Sequence, residues 1–177
     1  GRRRCRREPR RCSSANSSLR LRAPQRQCTE RLRSETVNPY TIFAEIIAGT
    51  AEASRVHEDE TAIAFMDIRP LTSGHVLVVP KQQFRTLAEL PPEIGAHLFV
   101  VGQKVAAAVR ASNPRVAGVN FFLADGTVAG QEIFHVHLHV IPRMIGDGFG
   151  LQARPSSPQR SELDRQAGEI AAALTRS

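Results

Sequence analysis

The sequence predicts an α+β domain: a five-stranded, mainly antiparallel sheet with one long helix and short terminal helices. Three observations predict it. The candidate elements follow the order helix, three strands, helix, two strands, helix. Apart from the long helix between the third and fourth, successive strands are joined by turns and loops, the pattern of hairpins and not of alternating βα units. And residues 132–141 alternate a polar face with an apolar one, at the period of a strand.

In order, residues 40–49 read as a short helix. Ile42, Phe43, Ile46 and Ile47 fall on one face, and Gly49 suits its end. Residues 55–58 make a short strand, Asp59-Glu60 a turn, and residues 61–68 a second strand with Ile63 and Phe65 on one face. Residues 69–74 are a loop. Residues 75–80, His-Val-Leu-Val-Val-Pro, form a third strand too apolar for an edge. The long helix follows Pro91-Pro92, with Pro92 in its first turn. Its apolar stripe is Ile94, Leu98, Val101, Val105 and Ala108. His97, near its start, reads as a surface or capping histidine. Residues 118–123 are the fourth strand, and a turn over 124–130 leads into the fifth, Glu132 to Ile141, closed by Pro142. The last helix carries Leu163, Ala167, Ile170 and Leu174 on one face, with Ser161 as N-cap. The helices are expected on one side of the sheet. Five strands leave an edge, which a two-fold dimer would cover.

Charge divides the chain. Residues 1–36 hold twelve Arg and three Glu, a balance of +9, whereas residues 37–177 hold twelve Lys/Arg and fourteen Asp/Glu, a balance of −2. The high isoelectric point therefore belongs to the first segment, and a nucleic-acid-binding role for the folded domain is not expected. Residues 1–36 read as a disordered basic tail, 37–154 as the domain, and 155–177 as a linker and helix. The tail could bind RNA or a membrane, serve as a transit peptide, or be an upstream extension without function; the last is preferred. Cys5, Cys12 and Cys28 all lie in it, so the domain has no thiol for a disulfide or a metal. A cytoplasmic protein is expected, and no apolar run suggests a membrane span.

His135, His137 and His139 hold half of the chain's six histidines on one face of one predicted strand, with Val136, Leu138 and Val140 facing a core. A shared metal is disfavoured: His135 and His139 stand roughly 13 Å apart along an extended strand, beyond Zn–N bonds of about 2 Å. Nucleophilic chemistry fits better. An imidazole with a pKa near 6.5 is mostly neutral at pH 7 and can attack phosphorus. The middle ring, His137, has neighbours to orient it and to donate to phosphate oxygens. Its other ring nitrogen needs an acceptor, expected to be a backbone carbonyl. Gly126 and Gly130 could cradle a phosphate through nearby N–H groups, and Gln131 precedes the histidines by four residues.

The run His135-Val136-His137-Leu138-His139-Val140-Ile141, with Ala129-Gly130-Gln131 before it and Pro142-Arg143 after it, resembles the signature of the histidine-triad (HIT) superfamily. Thr41 to Gly49, Glu58-Asp59 with Ala64 to Ile68, and Gly74 to Pro80 resemble further family segments in the same order, so the likeness spans residues 40–150. The resemblance implies nucleotidyl hydrolysis or transfer at an α-phosphate. His137 becomes nucleotidylated, water releases the nucleoside monophosphate, typically AMP, and no cofactor or obligatory metal takes part. It implies that His139 and Gln131 contact phosphate and that His135 joins the proton network. Asp67 would bind the ribose hydroxyls, Ile68 would line the base pocket, and His75 would stand behind the triad. Asn120 is a further substrate-binding candidate. The expected partners are a purine nucleotide and a second copy of the chain, joined through a continuous sheet.

Two positions depart from the family pattern. Ala124 stands where many relatives carry a phosphate-contacting Asn, and Glu132 where most carry Ser or Thr. A carboxylate facing the phosphate would repel it. The expected substrates are dinucleoside polyphosphates or nucleoside phosphoramidates. Asp125-Gly126 and Pro142-Arg143 lean toward the former. The alternatives are a nucleotide-binding signalling module with residual hydrolysis and, third, a metallohydrolase.

Overall fold

A computed structural model describes residues 42–150 and 153–176. The tail over 1–36 and the first two residues of the predicted opening helix lie outside the described residues. Strands β1 (Arg55–Glu58), β2 (Ala62–Met66), β3 (Val76–Pro80), β4 (Gly118–Phe122) and β5 (Leu138–Arg143) form one antiparallel sheet in the order β1-β2-β3-β5-β4. The histidine-bearing strand thus lies inside the sheet, between β3 and β4. Helix α1 spans Ile42–Ala48, α2 Pro92–Ser112 and α3 Arg160–Leu174. No helix among the described residues is long and apolar enough to cross a membrane.

The two faces of the sheet are covered by different helices, which corrects the expectation of helices on one side. β2 and β3 are the reason. Alternate residues Ala62, Ala64, Val76 and Val78 join Leu138, Val140 and the α2 residues Leu98, Val101 and Val105 in one core. The residues between them, Ile63, Phe65, Leu77 and Val79, join Phe43 and Ile46 of α1 in a second. Strands buried on both faces read as unbroken apolar runs, not as alternation. The α2 stripe falls as predicted except at its end, where Ala108 is exposed and Val109 packs against the core instead.

Several local expectations are adjusted. Gly49 ends α1 with φ 76°, and the carbonyl of Ile46 accepts both the Gly49 N–H at 3.1 Å and the guanidinium of Arg55 at 2.8 Å. His97 is more than a surface group: its Nε2 lies 2.9 Å from Asp59 Oδ2 and ties α2 to the β1–β2 turn. The last helix starts at Arg160, with Gln159 at its cap and no side-chain capping bond, so Ser161 lies inside it; none of its residues is buried. Pro142 does not close β5, which runs on to Arg143. It is tolerated because β3 stops opposite Val140, leaving Pro142 paired on one side only, with Val119 of β4.

The loop between β2 and β3 needs a glycine at position 74. Gly74 has φ 88°, and a Cβ there would stand 3.2 Å from Cγ of Pro142. Both the backbone strain and the close approach oppose a side chain, so Gly74→Ala should destabilise the fold by about 1–3 kcal/mol. Urea denaturation checks this; an unchanged midpoint would mean that the loop relaxes freely.

Candidate active site

β5 begins at Leu138 and not at Glu132, so the three histidines do not share one strand. The cause lies in its neighbours. β3 ends at Pro80, which has no N–H to offer, and β4 ends at Phe122 opposite His139. The backbone of 134–136 pairs elsewhere: Val136 N–H donates to Phe84 O at 2.7 Å, and the amide of Gln83 to Phe134 O at 3.2 Å. The rings still gather. His137 and His139 have centroids 4.8 Å apart, and Phe43 stands 5.2 Å from His137 and 5.9 Å from His135. Val136, Leu138 and Val140 are buried in the α2-side core, as the alternation predicted.

Each ring is held by a different group. His135 donates from Nε2 to the carbonyl of Pro80 at 2.8 Å and is 2% exposed, so it fastens the histidine segment to the end of β3. His137 donates from Nδ1 to the carbonyl of His135 at 2.7 Å. A carbonyl only accepts, so the proton sits on Nδ1 and Nε2 carries a lone pair. Among the described residues no buried side-chain nitrogen or oxygen lacks a hydrogen-bond partner. Nε2 of His137 has none, so it reaches the surface although the residue is 6% exposed. His139 Nδ1 lies 2.9 Å from Nε2 of the fully buried His75. Nδ1 of His75 receives the N–H of Leu71 at 3.2 Å and lies 3.4 Å from Asp67 Oδ2.

Burial keeps all four rings neutral. It is the largest cause of the lowered pKa of His75, His135 and His137. In His139 burial, joined by the repulsion it would meet from His137 and His75 once they too were protonated, pushes the value down to about 4. Neutral rings can attack, accept or donate at pH 7. Asp67, His75 and His139 each offer a ligand atom within 4.8 Å of the others, a grouping that could hold a metal ion.

The other sequence candidates fall in different places. Asp67 lies beside His75, and its Oδ1 accepts the N–H of Arg69 at 2.8 Å. Ile68 next to it is almost fully exposed. Gln131 is 2% exposed and its amide is engaged: Oε1 accepts Gly126 N–H at 2.8 Å and Nε2 donates to Arg85 O at 2.9 Å. The expected glycine cradle is corrected with it, because Gly126 N–H goes to Gln131 and Gly130 N–H to Thr127 O. Glu132 is mostly exposed and pairs with the guanidinium of Arg69, which offsets its charge. Asn120 does not stand beside the triad as a free amide. It accepts from Arg143, whose guanidinium also grips Asp147.

Sequence reasoning missed two aromatic neighbours and one backbone group. Phe43 meets the His137 ring edge-on at 85°, and Phe122 lies 5.7 Å from His139. Phe43 was legible only as part of an apolar helix stripe. The N–H of Leu71 has no sequence signal, since every residue but proline carries one.

A sequence profile of the HIT domain matches residues 48–145. "Adenylylsulfatase HINT3" of Arabidopsis thaliana is 32% identical over 148 residues, covering 82% of this chain and 73% of that protein. A crystal structure of a HIT family protein from Bacillus anthracis has TM-score 0.70 and 39% identity, covering 75% of this chain and 95% of its own. A histidine triad nucleotide-binding protein from Candida albicans has TM-score 0.69 and 25% identity, covering 76% and 97%.

Proposed function

Because the chain belongs to the HIT domain family, we propose that it is a nucleotidyl hydrolase or transferase. It cleaves at the α-phosphate of AMP esters or amides, dinucleoside polyphosphates or nucleoside phosphoramidates, through a covalent nucleotidyl-His137 intermediate. The observation that carries this is His137: its Nδ1 proton is fixed on a carbonyl, and its Nε2 lone pair is left open beside a second neutral imidazole. Nε2 attacks phosphorus, the bond to the leaving group breaks, and water then cleaves the P–N bond to release AMP. His139 donates to the phosphoryl oxygens and His75 backs it. His135 anchors the segment. Asp67 takes the ribose hydroxyls and Ile68 the base, on residues 37–154. Gln131 acts by holding the Gly126 turn and not by touching phosphate. A two-fold dimer through the sheet is part of the same reading.

The relative acting on an adenylyl sulfate adds a mixed anhydride of AMP to the substrates worth testing. The experiment incubates the protein with a dinucleoside polyphosphate, an adenosine phosphoramidate and adenylyl sulfate, with and without EDTA. AMP release from at least one, unaffected by EDTA, is expected. Abolition by EDTA would favour a metallohydrolase built on Asp67, His75 and His139. Tight AMP binding with no turnover would favour the binding module.

A further inference from the structure

His137 and His139 are chemically identical side chains, yet the backbone touches their networks with opposite groups. The inner nitrogen of His137 meets a carbonyl. The network behind His139 ends instead on a backbone N–H: Leu71 N–H points at His75 Nδ1 from 3.2 Å, and His75 Nε2 faces His139 Nδ1 at 2.9 Å. An N–H can be received only by a lone pair, so His75 Nδ1 is unprotonated. A neutral imidazole carries one proton, so that of His75 is on Nε2. It points at His139 Nδ1, which must then be a lone pair, and the proton of His139 is on Nε2.

We infer that the backbone N–H of Leu71 is a positioning group for the reaction: it sets the tautomer of His75, which sets that of His139, so that His139 meets a phosphoryl oxygen with a donor and not a lone pair. The inference rests on the chemistry proposed at His137. It explains how two adjacent rings present opposite faces to one phosphate, a nucleophile at 137 and a hydrogen-bond donor at 139. Asp67 is the rival for His75 Nδ1, since its Oδ2 is 3.4 Å away and would prefer an N–H there. The rival loses on geometry. A proton on Nδ1 would meet the Leu71 hydrogen head-on across 3.2 Å, and the other Asp67 oxygen is already fixed by Arg69 N–H. The loop is held in place by Thr72 Oγ1 donating to Pro142 O at 2.6 Å. The Leu71 side chain is 55% exposed, so its contribution is the N–H.

The test is long-range ¹H–¹⁵N correlation of the histidine rings in the full chain near pH 7, with no substrate present. The expected result is protonated Nε2 and unprotonated Nδ1 in His75 and His139, and the reverse in His137. Leu71→Ala keeps the N–H and should keep this pattern. Leu71→Pro removes it and should shift the His75 and His139 nitrogens toward a tautomer mixture. In Leu71→Pro, kcat should fall about tenfold or more with KM little changed, since one oriented donor in a charged transition state is worth about 10²–10³. A wild-type spectrum with Nδ1 of His75 protonated overturns the inference, and needs no variant to fold. So does Leu71→Pro with unaltered nitrogens, or a metal found on Asp67, His75 and His139 in the isolated protein. The ring spectrum involves no substrate, so it can fail while AMP release survives, and the reverse.

Discussion

Replacing His137 by alanine is expected to lower turnover by a factor on the order of 10⁴ or more, the scale reached when a nucleophile is removed from a two-step mechanism. The reason is geometric. His137 combines a proton fixed inward, on His135 O, with a nitrogen that opens outward. His135 cannot substitute, because its Nε2 is bound to Pro80 O, and His139 cannot, because its inner nitrogen accepts from His75 and its outward Nε2 then carries the proton. AMP affinity should change little, since the ribose and base are assigned to Asp67 and Ile68. Comparing kcat with AMP binding by calorimetry separates the two. A variant that loses tenfold or less would place the chemistry on another group.

Acid should destabilise the fold in a defined window. Burial lowers the pKa of His75, His135, His137 and His139. In the unfolded chain each returns to about 6.5. As pH falls below that value the unfolded state binds protons that the folded state refuses, so stability falls with pH. The stabilisation is present above about pH 6.5 and is lost as pH drops toward about 4, where His139 titrates. His139 alone, moved from 6.5 to about 4, corresponds to on the order of 3 kcal/mol. Asp59 and Asp147 are held far below the usual carboxylate range by hydrogen bonds, so their contribution disappears at lower pH still. Urea midpoints at pH 7, 5.5 and 4.5 at constant ionic strength measure the slope. Flat or rising stability over that range would contradict the burial of neutral rings.

The sheet was legible because apolar runs and short turns mark strands whatever their neighbours do. The placement of the histidines was legible only in part. Period-two alternation runs from Glu132, but a strand lasts only as long as its partners, and Pro80 withdraws one of them. Leu138 to Val140 obey the pattern because β3 and β4 flank them. Val136 keeps its inward direction through a bond to Phe84 O instead. The roles of Gln131 and Glu132 were not legible. Each depends on a distant group, Arg85 for one and Arg69 for the other, brought near by loops whose course no local rule sets. Phe43 read as core and is core, yet the same ring walls the site, since α1 covers the histidine face of the sheet.

The stereochemical course at the α-phosphorus tests the central claim most directly. A substrate made chiral there with sulfur and oxygen isotopes would be hydrolysed and the configuration of the released nucleoside phosphorothioate determined. Attack by Nε2 of His137 followed by attack of water is two inversions, so the product should retain its configuration. Inversion would mean that water displaces the leaving group in one step and that no nucleotidyl-His137 forms.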